Sequence, residues 1–155
     1  MCSSDLKEWL NTPTKSHLKS SGMRSELKIG IIGGSGMEDP GFISDSNSKD
    51  VSTPYGDPSS QLVLGSIADV PVVILSRHGP GHSINPTNVN YRANISALKE
   101  EGCTHILAAT ACGSLRERIA PGHFVFPNQF IDRTTKRINT FFDGSDVRQI
   151  GRAHV

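Results

Sequence analysis

Three short segments, far apart in the sequence, carry residue types that bind anions. Residues 33–36 read Gly-Gly-Ser-Gly, Arg77 and His78 stand side by side, and Thr110 opens a run of small residues. Glycines let backbone N–H groups approach a ligand closely, and serine and threonine add hydroxyls. The guanidinium of arginine offers a planar fork of donors that fits phosphate. Together these residue types predict a phosphate-sized pocket, in which each charge-assisted hydrogen bond contributes ~1.5–3 kcal/mol.

Each segment also has a simpler interpretation when it is taken alone. A glycine-rich turn is often only a turn, a single arginine is usually a surface or ion-pair residue, and Thr110 could serve packing at a sheet edge. The glycine run fits neither nucleotide motif, because no G-x-G-x-x-G pattern starts at Gly30 or Gly34 and Gly36 is followed by Met37 rather than lysine. The occurrence of all three segments after successive strands is what favours an anion site.

These segments are predicted to follow the strands of an α/β fold. Apolar, β-branched runs indicate buried strands at residues 28–32 and 72–76, and a further strand is expected at residues 104–109. A helix is predicted from residue 88 to residue 101, with Gly102 as its stop. A strand–helix–strand unit makes its two strands parallel, so the three segments should meet at one carboxyl edge, where open α/β sheets bind ligands.

The rest of the chain gives weaker signals. Proline and glycine punctuation predicts loop over residues 37–60, followed by a strand at residues 61–67 and a turn at residues 68–69. Aromatic and β-branched residues at 124–126 and 130–131 indicate a last strand or pair of strands.

Composition excludes several classes of protein. The 155 residues permit one domain or a piece of a larger one, and a net charge of +1 argues against a nucleic-acid binder. No apolar run is long enough to cross a bilayer, three cysteines are too few for a disulfide scaffold, and residues 1–22 lack the apolar stretch of a signal peptide. We therefore expect a soluble, intracellular protein without membrane or nucleic-acid partners.

Metal binding and nucleophilic catalysis find little support. His78 and His82 flank a Gly-Pro-Gly segment that cannot be helical, and Cys103 and Cys112 do not form a close Cys-x-x-Cys pair. No Ser-His-Asp set is recognisable, and nothing supplies an obvious base for Cys112, which is interpreted as a pocket wall residue. We expect no metal site.

The two ends of the sequence resemble translated sequencing adapter. Residues 150–155 are what ATC GGA AGA GCA CAC GTC encodes, and residues 1–6 match the reverse complement with GTG read as a start. We expect residues 1–27 to be a disordered leader, with residues 1–6 translated from adapter and a natural start at Met23, and residues 149–155 to be adapter as well. The alternative is a natural disordered tail.

The motifs along the chain resemble those of one enzyme family, the S-methyl-5′-thioadenosine phosphorylases, in the trimeric branch of the purine nucleoside phosphorylase superfamily. The likeness runs from about residue 28 to residue 146, and residues 28–148 are identified with the N-terminal half of that domain. It is carried by IGIIGGSG at 29–36, SRHG at 76–79, VNYRANI at 89–95, ALKEEGCTH at 97–105, TACGSLRE at 110–117 and QFIDRTT at 129–135.

The resemblance implies phosphorolysis of S-methyl-5′-thioadenosine by inorganic phosphate, giving adenine and 5-methylthioribose 1-phosphate for purine and methionine salvage. It implies that the phosphate-binding residues are Ser35, Arg77, His78, Thr110 and Ala111. Cys112 and Gly113 would lie near the base and sugar. It further implies a homotrimer, a cytoplasmic and in some members also nuclear location, and no organic cofactor, since phosphate is a co-substrate.

Two departures from the family pattern matter. Ser35 stands where the family often has threonine, which keeps the hydroxyl and loses the stiffening methyl group. The later half of the family's domain, which supplies the purine-assisting carboxylate, has no counterpart in this sequence, so the catalytic group is unassigned. We therefore expect the fragment to be inactive. We also expect its sheet, mixed or parallel and flanked by helices, to be incomplete. A purine nucleoside or methylthioinosine phosphorylase remains an alternative, as does a non-catalytic nucleotide- or anion-binding module.

Overall fold

The computed structural model describes residues 27–34, 43–138 and 140–142. The predictions of a leader before residue 27, of adapter-derived ends and of a site role for Ser35 fall outside these residues. The described chain forms a sheet and one long helix. Its elements are β1 (Ile29–Gly33), β2 (Ser44–Lys49), β3 (Leu62–Ile67), β4 (Val70–Ser76), α1 (Tyr91–Glu100) and β5 (His105–Ala108).

The sheet is mixed, with strand order β2-β3-β4-β1-β5. β1 lies between β4 and β5 and runs parallel to both, with Ile31 opposite Ile74 on one side and Leu107 on the other. β2, β3 and β4 are antiparallel neighbours, and the predicted turn between β3 and β4 has left-handed φ angles at Ala68 and Asp69. The predicted α/β class and the parallel crossover from β4 through α1 to β5 are confirmed.

Helix α1 begins later than the sequence suggested, at Tyr91 rather than residue 88. Asn88 instead belongs to a turn closed by its N–H on the Asn85 carbonyl at 3.0 Å. The side chain of Asn90 then accepts a hydrogen bond from the N–H of Ala93 at 3.2 Å, which makes Asn90 the N-cap. The predicted stop is confirmed, because Gly102 adopts a φ of 78° that only glycine reaches without strain.

Two lysines compensate the acidic end of α1. The ammonium of Lys28 donates to the Glu101 carbonyl at 2.6 Å, and the ammonium of Lys49 lies 2.5 Å from the Glu101 carboxylate. Positive charge at a helix C-terminus opposes the unfavourable carboxylate there. The C-terminal end of α1 is therefore bonded to the residue before β1 and to the last residue of β2.

The core lies between one face of the sheet and α1. Val72 to Leu75 of β4 are all buried, as predicted for a strand covered on both faces. Leu98 of α1 is fully buried and contributes ~1.5–3 kcal/mol by leaving water. The core cluster comprises Ile32, Leu62, Val73, Leu75, Ala97, Leu98 and Cys103.

Two predictions were wrong. Residues 44–49, expected to be loop, form β2, an edge strand whose six residues are polar and exposed; it is held by backbone pairing with β3 and leaves no apolar pattern in the sequence. Residues 124–126 and 130–131, expected to be strands, are exposed and non-strand, because no described strand pairs with them. Within the described residues, no helix is long and apolar enough to cross a bilayer.

Candidate functional site

The carboxyl ends of β1, β4 and β5 lie side by side, and the three chemistry-bearing segments leave the sheet there. Backbone hydrogen bonds continue just past the strands, from the N–H of Arg77 to the Gly33 carbonyl at 3.1 Å and from the N–H of Ala109 to the Ile32 carbonyl at 3.0 Å. The first residues of each loop are thus fixed by the sheet. A site built on such rigid positions needs little reorganisation to bind.

Arg77 joins the three segments. Its Nη1 donates to the carbonyl of Ala109 at 2.5 Å and its Nη2 to the hydroxyl of Thr110 at 3.2 Å. Its Nε donates to the Nε2 of His78 at 3.1 Å. A guanidinium has five N–H donors, so these bonds hold the fork in place and the other two donors are available to an anion as far as the described residues are concerned.

Gly34 packs against the guanidinium of Arg77. A Cβ placed on Gly34 would lie 2.6 Å from Nη2 and 3.1 Å from Cζ of Arg77. Real side-chain carbons do not approach so closely, so only glycine lets the guanidinium lie against the loop after β1. The glycine run and the arginine therefore meet in space, as the order of the strands predicted.

His78 faces Arg77 with one nitrogen and the chain with the other. Its Nδ1 lies 2.9 Å from the carbonyl oxygen of Ile84, which can only accept, so Nδ1 carries the proton and Nε2 accepts from Arg77. The ring of His82 stacks on that of His78, with centroids 5.2 Å apart and planes 18° apart. In this arrangement His78 orients Arg77, and direct donation to phosphate from Nε2 would require that nitrogen to be protonated.

The segment after β5 forms an open side of the site. Thr110 contacts Arg77 through its hydroxyl, whereas Ala111, Cys112 and Gly113 continue along an exposed stretch. A Cβ on Gly113 would meet nothing within 4 Å, and the thiol of Cys112 is free and exposed. The structure thus brings together Gly34, Arg77, His78 and Thr110, and leaves the expected base and sugar residues uncovered.

Two contacts escaped the sequence analysis. The Asn94 amide is 1% exposed; its Oδ1 accepts from the N–H of Ser59 at 2.8 Å and its Nδ2 donates to the Ser59 hydroxyl at 3.0 Å. Asn90 likewise donates from Nδ2 to the carbonyl of Tyr55 at 2.8 Å. These amides attach the loop after β2 to α1. An asparagine in the middle of a helix, where its propensity is poor, was the available signal.

Other groups do not contribute to this site. Burial raises the pKa of the Cys103 thiol to about 11, and the thiol lies in the core. The N–H of Thr134 bonds the exposed Asp132 carboxylate and lowers its pKa, but Asp132 is not among the residues around Arg77. Two concave regions of the described residues, of about 490 and 310 Å³, are lined by residues other than Gly34, Arg77, His78 and Thr110. No group of three metal-binding side chains occurs among the described residues.

Comparison with known proteins identifies the family of the chain. The Phosphorylase superfamily profile matches residues 28–154. The chain is 59% identical over 131 residues to an S-methyl-5′-thioadenosine phosphorylase of Danio rerio, covering 84% of this chain and 47% of the relative. For the Xenopus tropicalis enzyme of the same name the identity is 60% over 130 residues, covering 83% and 46%. The chain therefore spans about half the length of these relatives.

Solved structures show the same fold. A methylthioadenosine phosphorylase from Schistosoma mansoni in complex with tubercidin superposes with a TM-score of 0.71 at 56% identity, over 75% of this chain and 42% of that one. A mutant adenosine/methylthioadenosine phosphorylase from the same organism, in complex with methylthioadenosine, gives 0.71 at 55% identity, over 75% and 41%. On the matched residues, the shared fold and the identity to these enzymes, the chain belongs to the phosphorylase superfamily.

Proposed function

We propose that this chain is part of an S-methyl-5′-thioadenosine phosphorylase, which splits methylthioadenosine with inorganic phosphate into adenine and 5-methylthioribose 1-phosphate. The observation that carries the proposal is the guanidinium of Arg77, seated on Gly34 and bonded to Thr110, in a chain whose relatives bear that name. A fixed arginine fork with two further donors suits inorganic phosphate.

The proposed reaction transfers a glycosyl group. A phosphate oxygen forms a bond to the anomeric carbon as the bond from that carbon to the purine nitrogen breaks, and the leaving purine takes the electron pair and a proton. The sugar passes through a state with oxocarbenium character, so holding the phosphate dianion against it lowers the barrier by positioning and by charge. Arg77, Thr110 and the backbone after it, with Ser35, would perform that part of the work.

This chain supplies only part of the residues proposed to surround the purine. Cys112 and Gly113 follow Thr110 and would adjoin the base and sugar. The group that protonates the purine would come from the part of the relatives that this chain does not span, so the chain alone should not turn over substrate. From the family resemblance we further propose that the whole protein is a homotrimer. It would be located in the cytoplasm, or also in the nucleus, and would use no organic cofactor.

A chimera tests the proposal. The part of the Danio rerio relative that matches this chain is replaced by residues 28–142, and phosphate-dependent release of free adenine from methylthioadenosine is measured against the unaltered relative. We expect turnover, and its absence in a folded chimera would refute the proposal. Adenosine and methylthioinosine, assayed in parallel, identify the preferred nucleoside; release of a base without phosphate would exclude phosphorolysis.

Arg77 is tested in the same chimera. Arg77→Ala removes the fork and should raise the phosphate concentration for half-maximal rate by at least ~10-fold, the loss of one charge-assisted hydrogen bond. Arg77→Lys keeps the positive charge without the planar fork of donors. Its phosphate concentration for half-maximal rate should lie between that of the unaltered chimera and that of Arg77→Ala. An unchanged phosphate dependence in Arg77→Ala would exclude the residue from the phosphate site.

A further inference from the structure

The loop between β2 and β3, residues 50–61, bonds to the strand that leads into Arg77. The hydroxyl of Ser60 accepts a hydrogen bond from the N–H of Ser76 at 3.0 Å and donates one to the carbonyl of Gln61 at 2.8 Å. Ser76 is the last residue of β4, and β3 has not yet begun at Ser60. A side-chain hydroxyl, in place of a strand carbonyl, therefore satisfies the N–H at the end of β4.

The backbone bonds on either side of this position point in opposite directions. The N–H of Arg77 donates to the Gly33 carbonyl on the β1 side at 3.1 Å, whereas the N–H of Ser76 points to the β3 side and meets Ser60. Successive amides of a paired strand alternate in this way. The backbone that carries the guanidinium is therefore held from two sides, by β1 and by Ser60.

Ser59, the neighbour of Ser60, is fixed by helix α1. The amide of Asn94 bonds both the N–H and the hydroxyl of Ser59, and the two residues are 1% and 7% exposed. On its other side Ser59 meets the loop after β4, because a Cβ on Gly79 would lie 3.0 Å from the Ser59 carbonyl oxygen. Ser59 and Ser60 thus connect α1 to the chain both before and after Arg77.

We propose that Ser60 and Asn94 are positioning residues for the guanidinium of Arg77. Ser60 holds the end of β4 and Asn94 holds the serine beside it, so together they set where Arg77 leaves the sheet. Neither side chain is assigned a contact with the anion. A displacement of ~1 Å can cost ~100-fold in rate, so residues that fix the backbone at a binding group contribute to how the site works. The proposal rests on the proposed function only in naming phosphate as the anion.

Phosphate binding by the chimera described above tests the role of Ser60. Ser60→Ala removes the hydroxyl and should raise the Kd for inorganic phosphate, measured by calorimetry without nucleoside, about 3- to 10-fold, as expected for one lost neutral hydrogen bond. Ser60→Thr keeps the hydroxyl and should restore the Kd of the parent chimera. An unchanged Kd in Ser60→Ala, or an equal loss in Ser60→Thr, would overturn the proposal.

Thr53→Ala is the matched control. Thr53 lies in the same loop and is 9% exposed, and its hydroxyl bonds within the loop, to the Gly56 carbonyl at 2.6 Å. This variant should lower the midpoint of urea denaturation and leave the phosphate Kd unchanged. If phosphate binding instead weakens in proportion to lost stability in Thr53→Ala and Ser60→Ala alike, the loop only stabilises the fold and the proposal is refuted.

A double-mutant cycle tests Asn94. Asn94→Ala should raise the phosphate Kd by a similar factor, and its effect combined with Ser60→Ala should be smaller than the product of the two. Ser59→Ala, which removes one of the two bonds, replaces it if Asn94→Ala does not fold. Lost stability with an unchanged Kd, or effects that multiply, would refute the role of Asn94.

The same measurements separate this proposal from the proposed function. A parent chimera that binds phosphate and shows these effects, but releases no adenine from methylthioadenosine, would leave the positioning role standing and refute the proposed function. A parent chimera that releases adenine, with a phosphate Kd that does not respond to Ser60→Ala, would do the reverse.

Discussion

Gly34→Ala should damage phosphate binding far more than folding. The added Cβ would stand 2.6 Å from Nη2 of Arg77, where ordinary carbon contacts begin at about 3.5 Å, so the guanidinium must withdraw by roughly 1 Å. The end of an arginine side chain can make that movement cheaply, and Gly34 is not at a left-handed φ, so the backbone tolerates alanine. The 3.2 Å bond to Thr110 would be lost and the fork would no longer point at its anion.

The expected magnitude follows from one lost charge-assisted hydrogen bond. At ~1.5–3 kcal/mol, with 1.4 kcal/mol for each factor of ten, the phosphate KM of the chimera should rise about 10- to 150-fold. The midpoint of urea denaturation should stay near that of the parent chimera. Initial rates over a phosphate series, with methylthioadenosine saturating, measure the first quantity.

A double-mutant cycle separates this mechanism from a general disturbance of the loop. If Gly34 acts through Arg77, then Gly34→Ala added to Arg77→Ala should bring no further loss. Independent effects that multiply, or a phosphate KM in Gly34→Ala equal to that of the parent, would show that the guanidinium does not depend on this glycine.

Three further predictions concern the scaffold. Asn94→Ala strips the partner from the buried N–H of Ser59 and should lower the free energy of unfolding by ~1–3 kcal/mol in urea titration, with faster exchange at that amide; an unchanged midpoint would contradict it. Folding raises the pKa of the Cys103 thiol from 9.0 to about 11, so the contribution of this thiol to stability is complete below pH 9 and should be lost as pH rises towards 11. At neutral pH, peptide mapping should find Cys112 alkylated and Cys103 protected, because only Cys112 is exposed. The reverse order of alkylation would refute the burial argument. Gly102→Ala, at a φ of 78°, should cost ~1–2 kcal/mol by thermal unfolding, and a neutral result would mean the C-terminus of α1 relaxes.

The sequence predicted the part of the fold that depends on buried strands. The apolar runs in β1 and β4 and the crossover to β5 were sufficient to place three loops at one edge, because parallel strands with a connecting helix admit few arrangements. β2 was not predictable, since an edge strand of polar residues is specified by its neighbour's backbone rather than by its own side chains. Conversely, the aromatic residues near 124–131 have strand propensity but no described partner, and propensity alone does not make a sheet.

The same distinction applies to the candidate site. The proximity of Gly34, Arg77 and Thr110 follows from strand order and was predicted. The binding of phosphate by Ser35, Arg77, His78, Thr110 and Ala111, and the place of Cys112 and Gly113 near the base and sugar, stay predictions. The orientation of His78 could not be foreseen. The orientation depends on the hydrogen bond between Nδ1 of His78 and the carbonyl of Ile84. Positive φ angles at Gly79 and His82 bring the chain back so that this carbonyl lies beside the ring, and no local residue pattern predicts that turn.

The central position of β1 has a consequence for how the molecule acquires its shape. β1 is the earliest of the described strands in the chain, yet its two neighbours arrive roughly 40 and 75 residues later, and loop closure over such separations is slow compared with local contacts. During synthesis β1 must remain without partners until β4 emerges, and its second flank is covered only after α1 has been made. The anion pocket is therefore completed late, when β5 docks and the carbonyl of Ala109 and the hydroxyl of Thr110 accept their bonds from the guanidinium of Arg77.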